Sequence, residues 1–186
     1  MWKFYPSATE PPEWVYPVVA AFAAVRSQID SRLNVGVRSD AALAVLRPEF
    51  LRQGFEIEDG KSRAGTIRRP VLFGEIGRPV VAYEVDGFHP QHEIVLEVEA
   101  GRGAANNADY RDLIRASLMV DARYLVLAMM LHYGSGGPAI KSYDRSRDRI
   151  DAIYASERLK LPLDGILLIG TDAQPSRTAL VRPVHA

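Results

Sequence analysis

Three acidic residues, Asp86, Glu97 and Glu99, have the types and spacing that could do chemistry in this chain of 186 residues. They lie in a stretch from Tyr83 to Arg102 that reads as two strands folded on a tight turn. Side chains along a strand alternate between its faces. From Glu93 onward, Ile94, Leu96 and Val98 therefore point one way, and Glu93, Val95, Glu97 and Glu99 the other. A turn at Pro90-Gln91 sets His89 opposite His92, Asp86 opposite Val95 and Glu84 opposite Glu97. Asp86 is then diagonal to Glu97 on one face, at roughly 7–8 Å between backbones. Like charges opposed across a strand pair are destabilising. Several carboxylates converging on one sheet face thus need a reason, and a divalent cation with hard oxygen ligands is an economical one. On that reading the Asp86 and Glu97 oxygens approach within about 4–5 Å, leaving room for one cation.

Asp86 followed by Glu97-Val98-Glu99 at the end of an apolar strand resembles the PD-(D/E)xK nuclease superfamily, which includes restriction endonucleases. Val85 stands where the family often has proline, and Glu99 where it usually has lysine. The resemblance implies a restriction-endonuclease-like α/β core of three layers, with a mixed central sheet flanked by helices. It implies a Mg²⁺ (or Mn²⁺) site held by Asp86, Glu97 and the backbone carbonyl of Val98, with Glu99 doing the work of the missing lysine. It also implies DNA as the partner.

The elements that must position these residues follow from periodicity. Trp14, Val18, Val19, Phe22, Val25, Ile29 and Leu33 recur at helical spacing and predict a helix from about Glu13 to Arg32, after an irregular arm. Ser39 or Asp40 can cap a second helix, in which Pro48 should cause a break or kink and which Gly54 ends. Phe55–Glu58, Val71–Glu75 and a strand from Val80 into Asp86 predict an antiparallel meander closed by the acidic hairpin. After Gly101-Arg102-Gly103, Asn106 or Asn107 can cap a helix with Tyr110, Leu113, Ile114 and Leu118 inward and Arg111 and Arg115 on another face. Tyr124 to Met130 has no alternation, which predicts a central strand covered on both faces. A charged helix from Ser142 to Arg158 and a buried strand at Gly165–Gly170 complete the order. The nuclease resemblance spans about residues 40–170 of a single domain, 1–186, whose helical N-terminal part is about 13–53.

Composition narrows the class. Apolar content of 47% and charged content of 25% are those of a globular domain. With no cysteine, disulfides, thiolate zinc sites and cysteine nucleophiles are excluded. No apolar run approaches a membrane span and the start lacks a signal-peptide core, so a cytoplasmic protein is expected. The net charge is zero, so any nucleic-acid surface must be local.

Further candidates each have a plainer reading. Arg102, Asn106, Asn107, Arg111 and Arg115 could contact phosphates near the scissile bond, or cap and solvate a helix. Glu49, Glu56 and Glu84 could be auxiliary ligands, or ordinary charged residues. His89 and His92 look superficially like a zinc pair, although polar residues are common in tight turns. Gly101-x-Gly103 and Gly134-Ser-Gly-Gly137 lack the spacing of a phosphate-binding loop and read as turns. The function expected is Mg²⁺-dependent DNA endonuclease activity, with a homodimer favoured if each strand is cut once. The alternatives are a catalytically inactive nuclease-fold subunit that binds DNA or protein, and a metal-dependent hydrolase of a small phosphate ester.

Overall fold

A computed structural model describes residues 1–34, 36–60, 62–99, 106–131, 141–156 and 158–173. The elements are β1 (Trp2–Tyr5), α1 (Val15–Ala24), α2 (Arg26–Ile29), α3 (Ser39–Arg52), β2 (Glu56–Ile57), β3 (Ile67–Phe73), β4 (Pro79–Val85), β5 (Gly87–His89), β6 (Ile94–Glu99), α4 (Ala108–Leu118), β7 (Tyr124–Met129), α5 (Ser142–Ser156) and β8 (Gly165–Gly170). Six strands form a mixed sheet in the order β1-β8-β7-β6-β5-β2. The three central strands, β6, β7 and β8, are parallel, and the outer ones are antiparallel to their neighbours.

The two faces of the sheet explain its sequence. Ile94, Leu96 and Val98 of β6 join Val126 and Ala128 of β7 in a core shared with Phe22, Leu46 and Phe50 of the N-terminal helices. Val95, Leu125, Leu127 and Leu168 point the other way and pack with Leu113 of α4 and Tyr143 and Ile150 of α5. Helices thus cover both faces of an α/β fold, and the continuous apolar runs of β7 and β8 follow from double coverage. Each fully buried aliphatic side chain contributes about 1.5–3 kcal/mol. Among the described residues no helix is long and apolar enough to cross a membrane.

Four expectations are corrected. The N-terminal arm is not irregular: β1 pairs antiparallel with β8, burying Phe4 in one core and Tyr5 in the other. Aromatic residues suit a pleated, half-buried edge. The helix from Glu13 to Arg32 is broken at Val25 and stops at Ile29, because the buried Asp30 carboxylate gathers the Arg32 backbone amide and guanidinium. Helix α3 starts after Arg38 without a side-chain cap and runs through Pro48. Burial of Leu46 and Phe50 around that proline offsets the roughly 3 kcal/mol a helix-interior proline costs. The meander is split: β3 and β4 pair with each other as a separate two-stranded ribbon, and β2 skips them to pair with β5.

Candidate active site

Strands β5 and β6 pair Gly87 with Leu96, Phe88 with Val95 and His89 with Ile94. The connection is therefore Pro90 to Glu93, with Glu93 in left-handed backbone at φ 55°. The tighter Pro90-Gln91 turn does not form. His89 is buried, with Nε2 2.9 Å from the Gln53 carbonyl of the α3 terminus, and Nδ1 accepts the His92 amide at 3.2 Å. That anchoring lengthens the loop and engages both ring nitrogens, so His89 holds the turn rather than a zinc ion. Burial also lowers its pKa.

Continuing this ladder by one residue places Asp86 directly opposite Glu97 instead of diagonal to it. The sequence parity holds and the register moves. Glu84 leaves the site altogether, since β4 pairs it with Arg68 in the ribbon. Its place is taken by Glu58. Continuing β2 past Ile57, the Glu58 amide donates to the Asp86 carbonyl at 2.9 Å, so Glu58, Asp86 and Glu97 form one row across three strands. Asp86 is fixed by the Val98 backbone amide, which donates to its Oδ2 at 2.7 Å.

The sheet face bearing Glu97 and Glu99 is covered by α4. Glu97 is only 6% exposed, and its Oε1 has no hydrogen-bond partner. Helix α4 turns Asp109, Asp112, Leu113 and Ala116 inward and leaves Tyr110, Ile114 and Leu118 exposed, so the expected stripe is rotated. Asp112, 0% exposed, thereby faces the row. Arg111 donates to Asp112 Oδ1 at 2.9 Å and to Glu99 Oε1 at 2.8 Å. Arg115 lies 3.7 Å from Asp112 and donates to the Glu84 carbonyl.

Burial and mutual repulsion raise the acids' pKa values. Asp86 is pushed up to about 6 by burial, with Glu58, Asp112 and Asp40 adding repulsion against the opposing Val98 bond. Glu99 is pushed up to about 7, first by burial and then by Asp112, with Arg111 opposing. Glu97 is raised well above the usual range by burial, then by Asp86 and Asp112. Such groups keep protons the unfolded chain has lost. Their stabilisation is complete below about pH 4 and is lost as pH rises through 6 and 7. Asp30 acts in the opposite sense: Arg32 holds it at about 2, so its contribution is lost as pH falls toward that value. We expect urea titrations to show unfolding free energy falling by roughly 2–4 kcal/mol between about pH 5 and pH 8. Glu97→Leu should flatten that slope; an unchanged slope would show that these acids do not set it.

Other sequence candidates fall away from the row. Glu49 pairs with Arg52, and Glu56 is exposed. Asn106 is exposed, and Asn107 makes no side-chain cap but accepts from Arg149 at 2.9 Å. Arg102, Gly101, Gly103 and the Gly134–Gly137 segment lie outside the described residues. Sequence reasoning missed Glu58 and Asp112. Same-face parity with Glu56 was the available signal for Glu58; for Asp112 it was a helical interval from Asp109. Beside the row, a cleft of about 270 Å³ is lined by Asp40, Leu43, Arg47, Glu58 and Asp59.

Carboxylates and a backbone carbonyl are the donors a hard divalent cation takes. The orphaned Glu97 oxygen and the raised pKa values fit a site short of positive charge. Among the described residues, no group of three or more His, Asp or Glu side chains is placed so that it could hold a metal ion, so any cation here would rest on fewer side chains together with a backbone carbonyl and water.

No family model matches the chain, and no curated protein matches it. Among solved structures it is similar to the restriction endonuclease BglII complexed with a DNA 16-mer, at a TM-score of 0.49 and 8% identity. The match covers 92% of this chain and 76% of that one.

Proposed function

We propose that this chain is a metal-dependent nuclease of restriction-endonuclease-like type that hydrolyses phosphodiester bonds in DNA. The observation that carries this reading is Glu97, a buried carboxylate with an unpartnered oxygen, in line with Asp86 and Glu58 and overlaid by Asp112. A leucine there would serve the core better, since burying an ionisable group without a partner costs several kcal/mol. Asp86 and Glu97, with the Val98 carbonyl, would hold Mg²⁺ or Mn²⁺. Bound there, a divalent ion supplies charge to neutralise the acids and the phosphate oxygens and lowers the pKa of a water.

Glu99 stands where the resembled family carries lysine. In the metal-free chain burial and Asp112 raise its pKa, and beside the ion its charged form would be favoured, leaving a carboxylate to orient the attacking water and accept its proton. Arg111 orients Glu99 and Asp112 through its two ion pairs. Arg102, Asn106 and Arg111 would meet the phosphate backbone.

The second reading, a nuclease fold that binds DNA or protein without cutting, is favoured by one specific observation. Arg111 already supplies a positive charge between Glu99 and Asp112. Calorimetric Mg²⁺ titration, run beside cleavage of duplex and branched DNA, separates the two. For the nuclease, Mg²⁺ binds and raises unfolding free energy at pH 8 by about 1.4 kcal/mol at a concentration tenfold above its Kd. That gain should shrink at pH 5.5, where the acids hold their protons. Loss of Mg²⁺ uptake in Asp86→Ala supports the site; DNA binding with neither metal uptake nor cleavage supports the second reading.

A further inference from the structure

The β3–β4 ribbon is anchored at its base and bare at its tip. At the base, the Val120 amide donates to the Pro70 carbonyl at 3.1 Å, Arg69 pairs with Asp121 and its guanidinium lies 3.7 Å from the centroid of the Phe88 ring. Toward the tip, Leu72, Phe73, Ile76, Val80 and Val81 are all exposed. A lone two-stranded ribbon is marginal in water. Its outer edges also invite pairing unless charges or bulges blunt them. Irregular register around Pro70–Phe73 blunts the β3 edge, but large apolar side chains still project from the tip.

The turn itself is unusual. Ile76 is 85% exposed and adopts left-handed backbone at φ 57°, followed by Gly77 at φ 69°. Tight hairpins give such a pair to Asn-Gly or Asp-Gly, and a β-branched residue there is an outlier. Local backbone preference and solvation both argue against isoleucine at this position. Something that covers the tip supplies a reason for it.

Charge identifies what would cover it. Glu75 and Arg78 flank the turn, both exposed, and neither has an ion partner among the described residues. The tip is thus apolar with one charge of each sign. A nucleic acid or an anionic membrane would call for a positive excess. In a two-fold contact residue i of one copy meets residue j of the other, and j meets i. Glu75 of each protomer would then face Arg78 of its partner, around the Ile76 side chains.

We infer that the β3–β4 tip is a self-association surface, through which two copies of this chain form a two-fold dimer. It is distinct from the acidic row. The contact is confined to a few side chains at one turn, so a weak, concentration-dependent dimer is expected. Sedimentation velocity and light scattering on the full chain, from about 1 to about 200 µM, should show a monomer–dimer equilibrium. Ile76→Asn should weaken the dimer at least about tenfold. It should also keep or raise Tm, because asparagine accepts left-handed backbone. Glu75→Arg and Arg78→Glu should each weaken it about tenfold, and the doubly reversed chain should return to within about threefold of wild type. An equimolar mixture of the two single variants should form heterodimers more tightly than either self-associates. A chain monomeric throughout the range overturns the proposal. So does a dimer indifferent to Ile76→Asn, or one that charge reversal breaks without rescue in the doubly reversed chain. Binding to DNA or anionic vesicles lost in Ile76→Asn, without dimerisation, would reassign the tip to that partner.

Discussion

Asp86→Ala is expected to abolish DNA cleavage, and Glu99→Gln to lower it by roughly 10²–10⁴ while DNA binding persists. The two substitutions act on different parts of the row. Asp86 is the acid fixed from both sides: the Val98 amide donates to its side chain, and its backbone carbonyl accepts from Glu58. On the proposed reading, removing its carboxylate removes a cation ligand whose position is already set. Glutamine at 99 keeps the shape and the reach to Arg111 but cannot take a proton near neutrality. The pH profile of the residual activity adds a second readout. Wild-type activity should rise with pH as Glu99 loses its proton, at a lower pH than in the metal-free chain because the ion favours the carboxylate, and Glu99→Gln should lose that limb. Glu99→Lys restores the commoner family residue but places a second cation beside Arg111, so it is expected to depend on Arg111→Ala for any gain. Wild-type cleavage left unchanged by both Asp86→Ala and Glu99→Gln would sink the assignment.

Period and parity made the centre of this fold legible. The unbroken run of β7, the buried β8 and the alternation of β6 each follow from a local pattern, and each is found. What failed depended on contacts distant in sequence. The β5–β6 register is set by His89 reaching Gln53 across the sheet edge, which a reading of turn residues does not contain. Glu58 joins the site because β2 bypasses the ribbon to reach β5. The α4 face was misread for a different reason. Counting apolar positions favours Tyr110, Leu113, Ile114 and Leu118; Leu113 is buried as expected, and the other three give way to Asp109, Asp112 and Ala116. A helix that buries two acids beside Leu113 and Ala116, and leaves Ile114 and Leu118 in solvent, departs in part from its own pattern. Such conflicts concentrate where function sets the requirement. The misread helix face and the candidate chemistry are therefore the same place.

Asp109 shows what that inversion asks of the fold. It is 1% exposed and collects four donated hydrogen bonds. Ser146 Oγ donates at 2.8 Å, Arg149 at 2.7 and 2.9 Å, and the Tyr110 amide at 2.9 Å. These bonds lock the first turn of α4 to α5, and α4 is the helix that carries Asp112 and Arg111 over the row. Breaking a buried pair by removing one partner typically costs about 3–5 kcal/mol, because the other charge stays buried. The Arg149 side chain is 24% exposed and can partly hydrate, so Asp109→Ala is expected to cost about 3 kcal/mol in urea denaturation. Asp109→Asn keeps part of the hydrogen bonding and should cost less. Asp109→Leu combined with Arg149→Met should cost less than Asp109→Ala alone, since no buried charge is left behind. If the pair serves only to hold the helix, that double variant also keeps Mg²⁺ affinity within about threefold of wild type. A larger loss in a folded double variant would mean that the Asp109–Arg149 pair also sets where Asp112 sits above Glu97.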